Sequence, residues 1–245
     1  MSEPLVQISR LDEERFGVRT AKARIATVSQ VPDVLESCRR QSVRLLIARC
    51  PANCLNVAQA LEAAGAHLMD VLVYFARDLK TTPIPRDAGV MPVREAGPAD
   101  ADKIEAIARQ AFHNYQGHYH ADPRLDRAAC DEVYASWARR SCLSPEAAHA
   151  VFVAGQGTEL LGFLTVRLNN PHEVEICLNA TAPSAQGRGI YHTLMLHALN
   201  WSLGRNCHRA IISTQVTNIA PQKVWIRVGF EPQESLLTFH RWFDT

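Results

Sequence analysis

The sequence predicts an α/β protein in two parts, and three observations carry that prediction. Strand-like apolar segments alternate with helix-like ones along the chain. A Pro- and Gly-bearing polar stretch, KTTPIPRDAGV, interrupts the pattern near residue 85. Further on, a strand-like segment turns into a helical one through two glycines one residue apart, in ATAPSAQGRGIYHTLM.

The elements follow in order. SVRLLIARCP reads as a strand, NVAQALEAAG as a helix stopped near Gly65, and LMDVLVYFARDL as a second strand. The interruption after it is read as a linker, which divides the chain into an N-terminal α/β domain, 1–85, and a second domain, 91–245. PVREA opens the second domain as a short strand. PADADKIEAIARQAF then places Ile104, Ile107, Ala108, Ala111 and Phe112 on one helical face behind an acidic first turn. HNYQGHYHADPRLDRAACDEVYASWARRSC is long, rich in His and Tyr, and helical after Pro123; long connections of this kind are often functional. AVFVA and LLGFLTVRL form a hairpin through GQGTE. HEVEICLNAT alternates, with Val174, Ile176 and Leu178 on one face and Glu173, Glu175, Cys177, Asn179 and Thr181 on the other. A strand bordering a ligand cleft has this two-sided character. Ile190, Leu194, Ala198 and Trp201 fall at helical spacing, and HRAIISTQV, a short helix before VGF, and LLTFHRWF complete the chain.

Composition narrows the function. The 245 residues carry 26 Lys and Arg against 25 Asp and Glu, a net charge of +1, without the basic excess of a nucleic-acid binder. No apolar run approaches the ~20 residues that span a bilayer, so no membrane partner is expected. MSEPLVQISRLDEER lacks the core of a signal peptide, which suggests a cytoplasmic protein. The seven cysteines are odd in number and scattered without a CxxC pair, and they read as reduced thiols, mostly buried.

A strand that ends in glycines and opens a helix leaves first-turn N–H groups free beside the positive end of the helix dipole, which is an anion site. QGRG alone does not decide between that and a tight turn with a packing glycine. It is not a nucleotide P-loop, since no Lys-Ser/Thr follows, and its spacing is not the dinucleotide fingerprint.

Pro183, Gln186, Gly187, Arg188, Gly189 and Ile190 resemble the pyrophosphate-binding motif of the GCN5-related N-acetyltransferases, Gln/Arg-x-x-Gly-x-Gly/Ala. TNIAPQKVWIRVGF resembles the family's later motif through Asn218, Arg227, Gly229 and Phe230. The resemblance covers Met91 to about Phe243, and the two-part layout is similar to nucleotide-sugar N-acetyltransferases. It implies the GNAT fold, a mixed, mostly antiparallel sheet whose central strands splay to admit acetyl-CoA, and a smaller N-terminal α/β domain that frames the acceptor site. It also implies that Gln186, Gly187, Arg188, Gly189, Ile190 and Tyr191 cradle the pyrophosphate of acetyl-CoA with Thr193 as a hydroxyl donor. By the same pattern Leu178, Asn179 and Ala180 pair with the pantetheine arm, and Asn218 holds it from the other side.

Two residues depart from the pattern. Tyr191 replaces a small residue, and Trp225 stands where many members have a tyrosine proposed to protonate the CoA thiolate. An indole N–H is no practical acid, so Trp225 is read as packing beside pantetheine, with a core tryptophan as the alternative. The attacking amine needs a base, for which His120 is the first candidate and Glu175 the second. Tyr115, His118 and Tyr119 in the long loop, with Thr214 and Gln215 at a strand end, are candidates for acceptor contacts. If the loop were extended, His118 and His120 would share a side with Asp122 as a metal site; no fourth ligand stands out and acetyl transfer needs none, so no metal is expected.

The implied reaction is direct attack by the amine of a dTDP-linked 3- or 4-amino-dideoxy sugar on acetyl-CoA. The competing readings are acetylation of an amino acid, small amine or protein N-terminus, and a non-catalytic acyl-CoA-binding module. A homodimer is compatible with each of these.

Overall fold

A computed structural model describes residues 5–86, 91–113 and 115–243. The described residues form two compact units, each drawn from separate stretches of chain. The sequence division at 85/91 follows chain order, whereas compactness follows strand pairing, so distant segments share a unit.

The first unit comprises Met1–Val73, Gln116–Cys130 and Glu234–Thr245. It contains β1 (Gln7–Ile8), α1 (Arg10–Phe16), β2 (Thr20–Arg24), α2 (Gln30–Arg40), β3 (Leu45–Pro51), α3 (Leu55–Ala63) and α5 (His118–Ala121). It also holds the start of β4 (His67–Asp78), the start of α6 (Arg127–Leu143) and most of β10 (Glu231–Trp242). β2 pairs in parallel with β3, and β10 runs antiparallel on its other side. One face of this sheet, with Ala21, Ala23, Leu46, Ala48, Cys50 and Phe239, packs on Val31, Val34 and Cys38 of α2 and Val57, Ala58 and Leu61 of α3. Val31, Val34 and Cys38 recur at helical spacing, a pattern that marks α2 in the sequence although Pro32 sits in its first turn. The chain is already helical in α5 before Pro123, not only after it.

The second unit comprises Tyr74–Tyr115 and Asp131–Gln233. It holds β5 (Val93–Glu95), α4 (Ala101–Ala111), β6 (Ala150–Gln156), β7 (Glu159–Asn170), β8 (Glu173–Thr181), α7 (Ile190–Leu203), β9 (Arg209–Gln215) and α8 (Ile219–Arg227). The strand order here is β4-β9-β8-β7-β6-β5. The pairs β5/β6, β6/β7 and β7/β8 are antiparallel, and β8/β9 is parallel. Six successive residues of β7, Leu161–Val166, are buried, as a strand covered on both faces requires. α4 packs on β7 and β8, and α7 on β6 and β7. Gly162 permits that second contact: a Cβ there would lie 3.2 Å from Ile190 and 3.3 Å from Leu194 of α7.

Arg77, on β4, is 2% exposed and has no carboxylate partner among the described residues. Its guanidinium donates to the carbonyl of Val228 just past α8, and to those of Thr82 and Pro83 at 2.9 Å each. A cation at a helix C-terminus is favoured by the helix dipole, and here it also satisfies loop carbonyls. Gly229 makes room for it, with φ +84° and a site for Cβ already occupied by the guanidinium. Gly229→Ala is expected to lower unfolding free energy by roughly 2–4 kcal/mol, from the positive φ and the clash together; urea denaturation measures the loss.

Candidate active site

The pairing of β8 with β9 runs from Glu173 opposite Arg209 to Ile176 opposite Ile212, and then stops, although β8 continues to Thr181 and β9 to Gln215. Two parallel strands that part in mid-length expose backbone donors and acceptors on their facing edges. A β-bulge sits at the same level. Leu164 faces Asn179 but Val166 faces Ile176, so β8 has one more residue than β7 across this stretch. The hydroxyl of the fully buried Thr165 fills the break by accepting the Leu178 N–H at 3.0 Å.

That bond assigns the edges of β8. Leu178, and Ala182 whose N–H reaches Leu161 at 2.8 Å, point their backbone groups toward β7. Alternation therefore turns those of Asn179 and Thr181 toward the parted edge. Of the predicted trio Leu178, Asn179 and Ala180, Asn179 is the one whose N–H and C=O point to the parted edge. The side chains follow the predicted alternation: Val174, Ile176, Leu178 and Ala180 are buried, and Glu175, Cys177 and Asn179 half-buried.

Beyond β8, Gly187 and Gly189 both adopt φ +76°, and Gly189 is the N-cap of α7 without a side-chain capping bond. Gln186, Gly187, Arg188 and Gly189 are exposed, and the space beside Gly187 is open. The first-turn N–H groups of α7, beginning at Ile190, are thus presented without a competing side chain, as a pyrophosphate requires. Thr193 does not contribute to this surface: it is 1% exposed and enclosed by protein.

Asn218 is the N-cap of α8; its side chain accepts no bond from the helix N–H groups, and its amide NH2 donates to Thr214 Oγ1 at 2.9 Å. The neighbouring Gln215 accepts a hydrogen bond from the Tyr115 hydroxyl. Tyr115 belongs to an aromatic trio, 5.2 Å from Phe112 and 5.0 Å from Tyr134 between ring centres. Tyr115, Thr214, Gln215 and Asn218 therefore form one connected group at the open end of β9.

The two departures from the motif meet each other. The Trp225 indole N–H donates to the Tyr191 hydroxyl at 2.6 Å, and its ring meets Phe75 edge-on at 5.3 Å. Trp225 is 1% exposed, so it is a core residue and presents no surface to a pantetheine arm. Burial raises the Tyr191 hydroxyl above the usual tyrosine range, while the Trp225 bond opposes the rise.

Residues 107–230, half of the chain, match the acetyltransferase (GNAT) family model. The chain belongs to the GNAT acetyltransferase family. The chain is 28% identical over 152 residues to the spore coat polysaccharide biosynthesis protein SpsD of Bacillus subtilis, covering 62% of this chain but only about half, 52%, of that relative. It is 25% identical over 228 residues to the dTDP-fucosamine acetyltransferase of Escherichia coli O6:H1, covering 92% of this chain and 93% of that one. A GCN5-related N-acetyltransferase from Kribbella flavida shares the fold at 15% identity with a TM-score of 0.65, over 91% of this chain and 80% of that one. No helix among the described residues is long and apolar enough to cross a membrane.

For this GNAT member, Cys177 lies on β8 one residue past its last pair with β9, and burial with Glu175 beside it pushes that thiol up to about 12. Burial also pushes Cys38, Cys50 and Cys142 up to about 11. A thiol kept protonated at neutral pH is a poor nucleophile. Glu175 accepts from Arg167 at 2.7 Å through Oε2, and its Oε1 has no partner among the described residues.

The His-rich segment is divided between the units: Tyr115 falls in the second, and His118, Tyr119 and His120 in the first. His118–Ala121 is helical, so His118 and His120 do not share a side as an extended segment would have them. Among the described residues no group of three metal-type ligands occurs. Instead His118 Nδ1 meets His240 Nε2 at 2.9 Å, and His240 Nδ1 meets the Asp122 carboxylate at 2.7 Å. The Trp242 N–H also donates to Asp122, at 2.8 Å. The Tyr119 hydroxyl donates to Asp12 at 2.9 Å, and Lys22 lies 2.6 Å from the same carboxylate. His120 is 8% exposed. His240 and Asp12 escaped sequence reading, although Thr238, His240 and Trp242 alternate along LLTFHRWF and mark a second non-aliphatic face.

Burial would raise the Asp122 carboxyl, but hydrogen bonds from His240, the Arg124 N–H and Trp242 outweigh it and hold the group below the usual carboxylate range. Burial first, then the charges of His240, Arg49 and Lys22, hold the His118 imidazole well below the usual histidine range.

Two outcomes follow from these contacts. In a double-mutant cycle, Tyr191→Phe and Trp225→Phe are expected to show a coupling of about 1 kcal/mol in unfolding free energy, and independent effects would refute the bond. His118 takes up a proton readily only when unfolded, so its contribution to stability is intact above about pH 6.5 and declines as pH falls below that. Unfolding free energy measured between pH 7.5 and 5 is expected to fall less steeply in His118→Gln, by at most about 1.4 kcal/mol per pH unit.

Proposed function

We propose that this protein transfers acetyl from acetyl-CoA to the amine of a dTDP-linked 3- or 4-amino-dideoxy sugar. One observation carries the donor half of this reading: β8 and β9 part after Ile176 and Ile212, beside an uncapped, glycine-entered helix. The free N–H groups at Ile190 and Tyr191 would hold the pyrophosphate, with Arg188 beside them. The facing edge of β8 at Asn179 and Thr181 would pair with the amides of the pantetheine arm as another strand would. A backbone N–H aimed at the thioester oxygen would stabilise the oxyanion as the amine attacks. Direct attack fits the protonated thiols, since a covalent acyl-cysteine would need a thiolate.

Glu175 is the base we favour. It lies on β8 three residues ahead of Leu178, on the half-buried face with Cys177 and Asn179, and one of its carboxylate oxygens has no partner among the described residues. His120 would then serve the acceptor rather than the proton. The likeness to the dTDP-fucosamine acetyltransferase across 92% of this chain supports the choice of a nucleotide sugar.

Release of CoA thiol, followed with a panel of dTDP-amino sugars, free amino sugars and amino acids, tests the reading. Turnover confined to dTDP-amino sugars is expected; turnover only with amino acids would exclude the sugar, and CoA binding without release for any amine would exclude catalysis. Glu175→Gln is expected to lower kcat by about 10²-fold or more, whereas His120→Ala is expected to raise the KM for the acceptor with a smaller effect on kcat.

A further inference from the structure

Thr165 is the one polar side chain in the buried run Leu161–Val166 of β7. A hydroxyl in a strand covered on both faces costs free energy unless it is hydrogen-bonded. Its oxygen accepts the Leu178 N–H at 3.0 Å, across the bulge in β8. Valine has nearly the same shape and suits an inner strand at least as well, so packing alone does not account for the hydroxyl.

The bulge sets which groups of β8 reach the parted edge. The His149 N–H donates to the Val166 carbonyl at 2.8 Å, so Val166 turns its backbone groups toward β6 and away from its register partner on β8, Ile176. Ile176 therefore faces β9, with which it makes the last pair. In a regular strand the next residue facing that way would be Leu178, two positions on. The extra residue of the bulge changes this. Leu178 turns inward to Thr165, and the Asn179 N–H is the first to stand at the parted edge.

We propose that Thr165 is a positioning residue for acetyl transfer: by capturing the Leu178 N–H it holds the bulge, and the bulge aims the Asn179 N–H at the thioester oxygen of acetyl-CoA. This rests on the donor half of the reading above and is independent of which amine is the acceptor. As the amine nitrogen bonds to the carbonyl carbon, the C=O electron pair moves onto the oxygen, where the Asn179 N–H stabilises it. The pair returns as the C–S bond breaks, CoA leaves as the thiolate, and the proton of the amine passes to Glu175. Thr165 touches none of the reacting atoms and acts through the strand.

Carbon-13 NMR of the full chain with acetyl-CoA labelled at the carbonyl, without an acceptor, reads the polarisation of that carbonyl directly. In wild type the bound resonance is expected downfield of free acetyl-CoA. In Thr165→Val the displacement is expected to fall by about half or more, while main-chain pairing with the pantetheine arm keeps the Kd for acetyl-CoA within about threefold of wild type. Thr165→Ser retains the acceptor oxygen and is expected to keep the displacement. Thr165→Cys keeps the side-chain size with a weaker acceptor and is expected to lie between them, so the comparison holds even where valine prevents folding. In turnover, Thr165→Val is expected to lower kcat by about tenfold or more with little change in the KM for acetyl-CoA.

A full displacement in folded Thr165→Val or Thr165→Cys would overturn the inference and leave the donor reading standing. Parallel loss of displacement and of acetyl-CoA affinity, as a merely structural role predicts, would overturn it as well. Failure of wild type to bind acetyl-CoA would overturn the donor reading and the inference together.

Discussion

The parting of β8 from β9 is the constraint on which the rest of the candidate site depends. A parallel pair normally runs until one strand ends, because every unpaired peptide group away from water is costly. Here the ladder stops after four register pairs, with five residues of β8 and three of β9 still to come. The bulge at Cys177 and Leu178 turns β8 at that level, and Thr165 satisfies the N–H that the bulge releases. The parted edges then point at each other without pairing, and the helix that follows each strand, α7 or α8, begins at the open end. In the proposed reaction, donor recognition uses main-chain groups and so places few demands on side-chain identity.

That economy explains how Tyr191 and Trp225 are tolerated. Each is a large residue in a place where the family motif has another type, and each alone would bury a polar atom. Together the indole N–H and the phenolic oxygen satisfy one another at 2.6 Å. The contact between Tyr191 on α7 and Trp225 on α8 thus gives each polar atom a partner. Arg77 shows the same logic at the far end of α8, where a buried guanidinium is held by carbonyls and a glycine gives it space.

The first unit solves a harder problem on its polar sheet face. Asp122 takes hydrogen bonds from His240, Trp242 and the Arg124 backbone, and Asp12 from Tyr119, Ser9 and Lys22, so both buried carboxylates are fully engaged. Networks this complete fix one arrangement of the strands and of α5.

Much was legible in the sequence, because local patterns determine local structure. The alternation in HEVEICLNAT gave the burial of β8 residue by residue, and the glycines of QGRG marked the turn into α7, where both adopt positive φ. The order of the two motifs implied the family that the comparison with known proteins establishes. What the sequence could not contain was which distant side chains meet. Trp225 as a core donor to Tyr191, Thr193 as an enclosed residue, and the separation of Tyr115 from His118 and His120 all depend on contacts far apart in the chain. Spacing and propensity act over a few residues, whereas a buried hydrogen bond is chosen by packing across the whole unit. The same reason hid the bond between His240 and Asp122, which spans 118 residues and exists only once β10 has returned to β3.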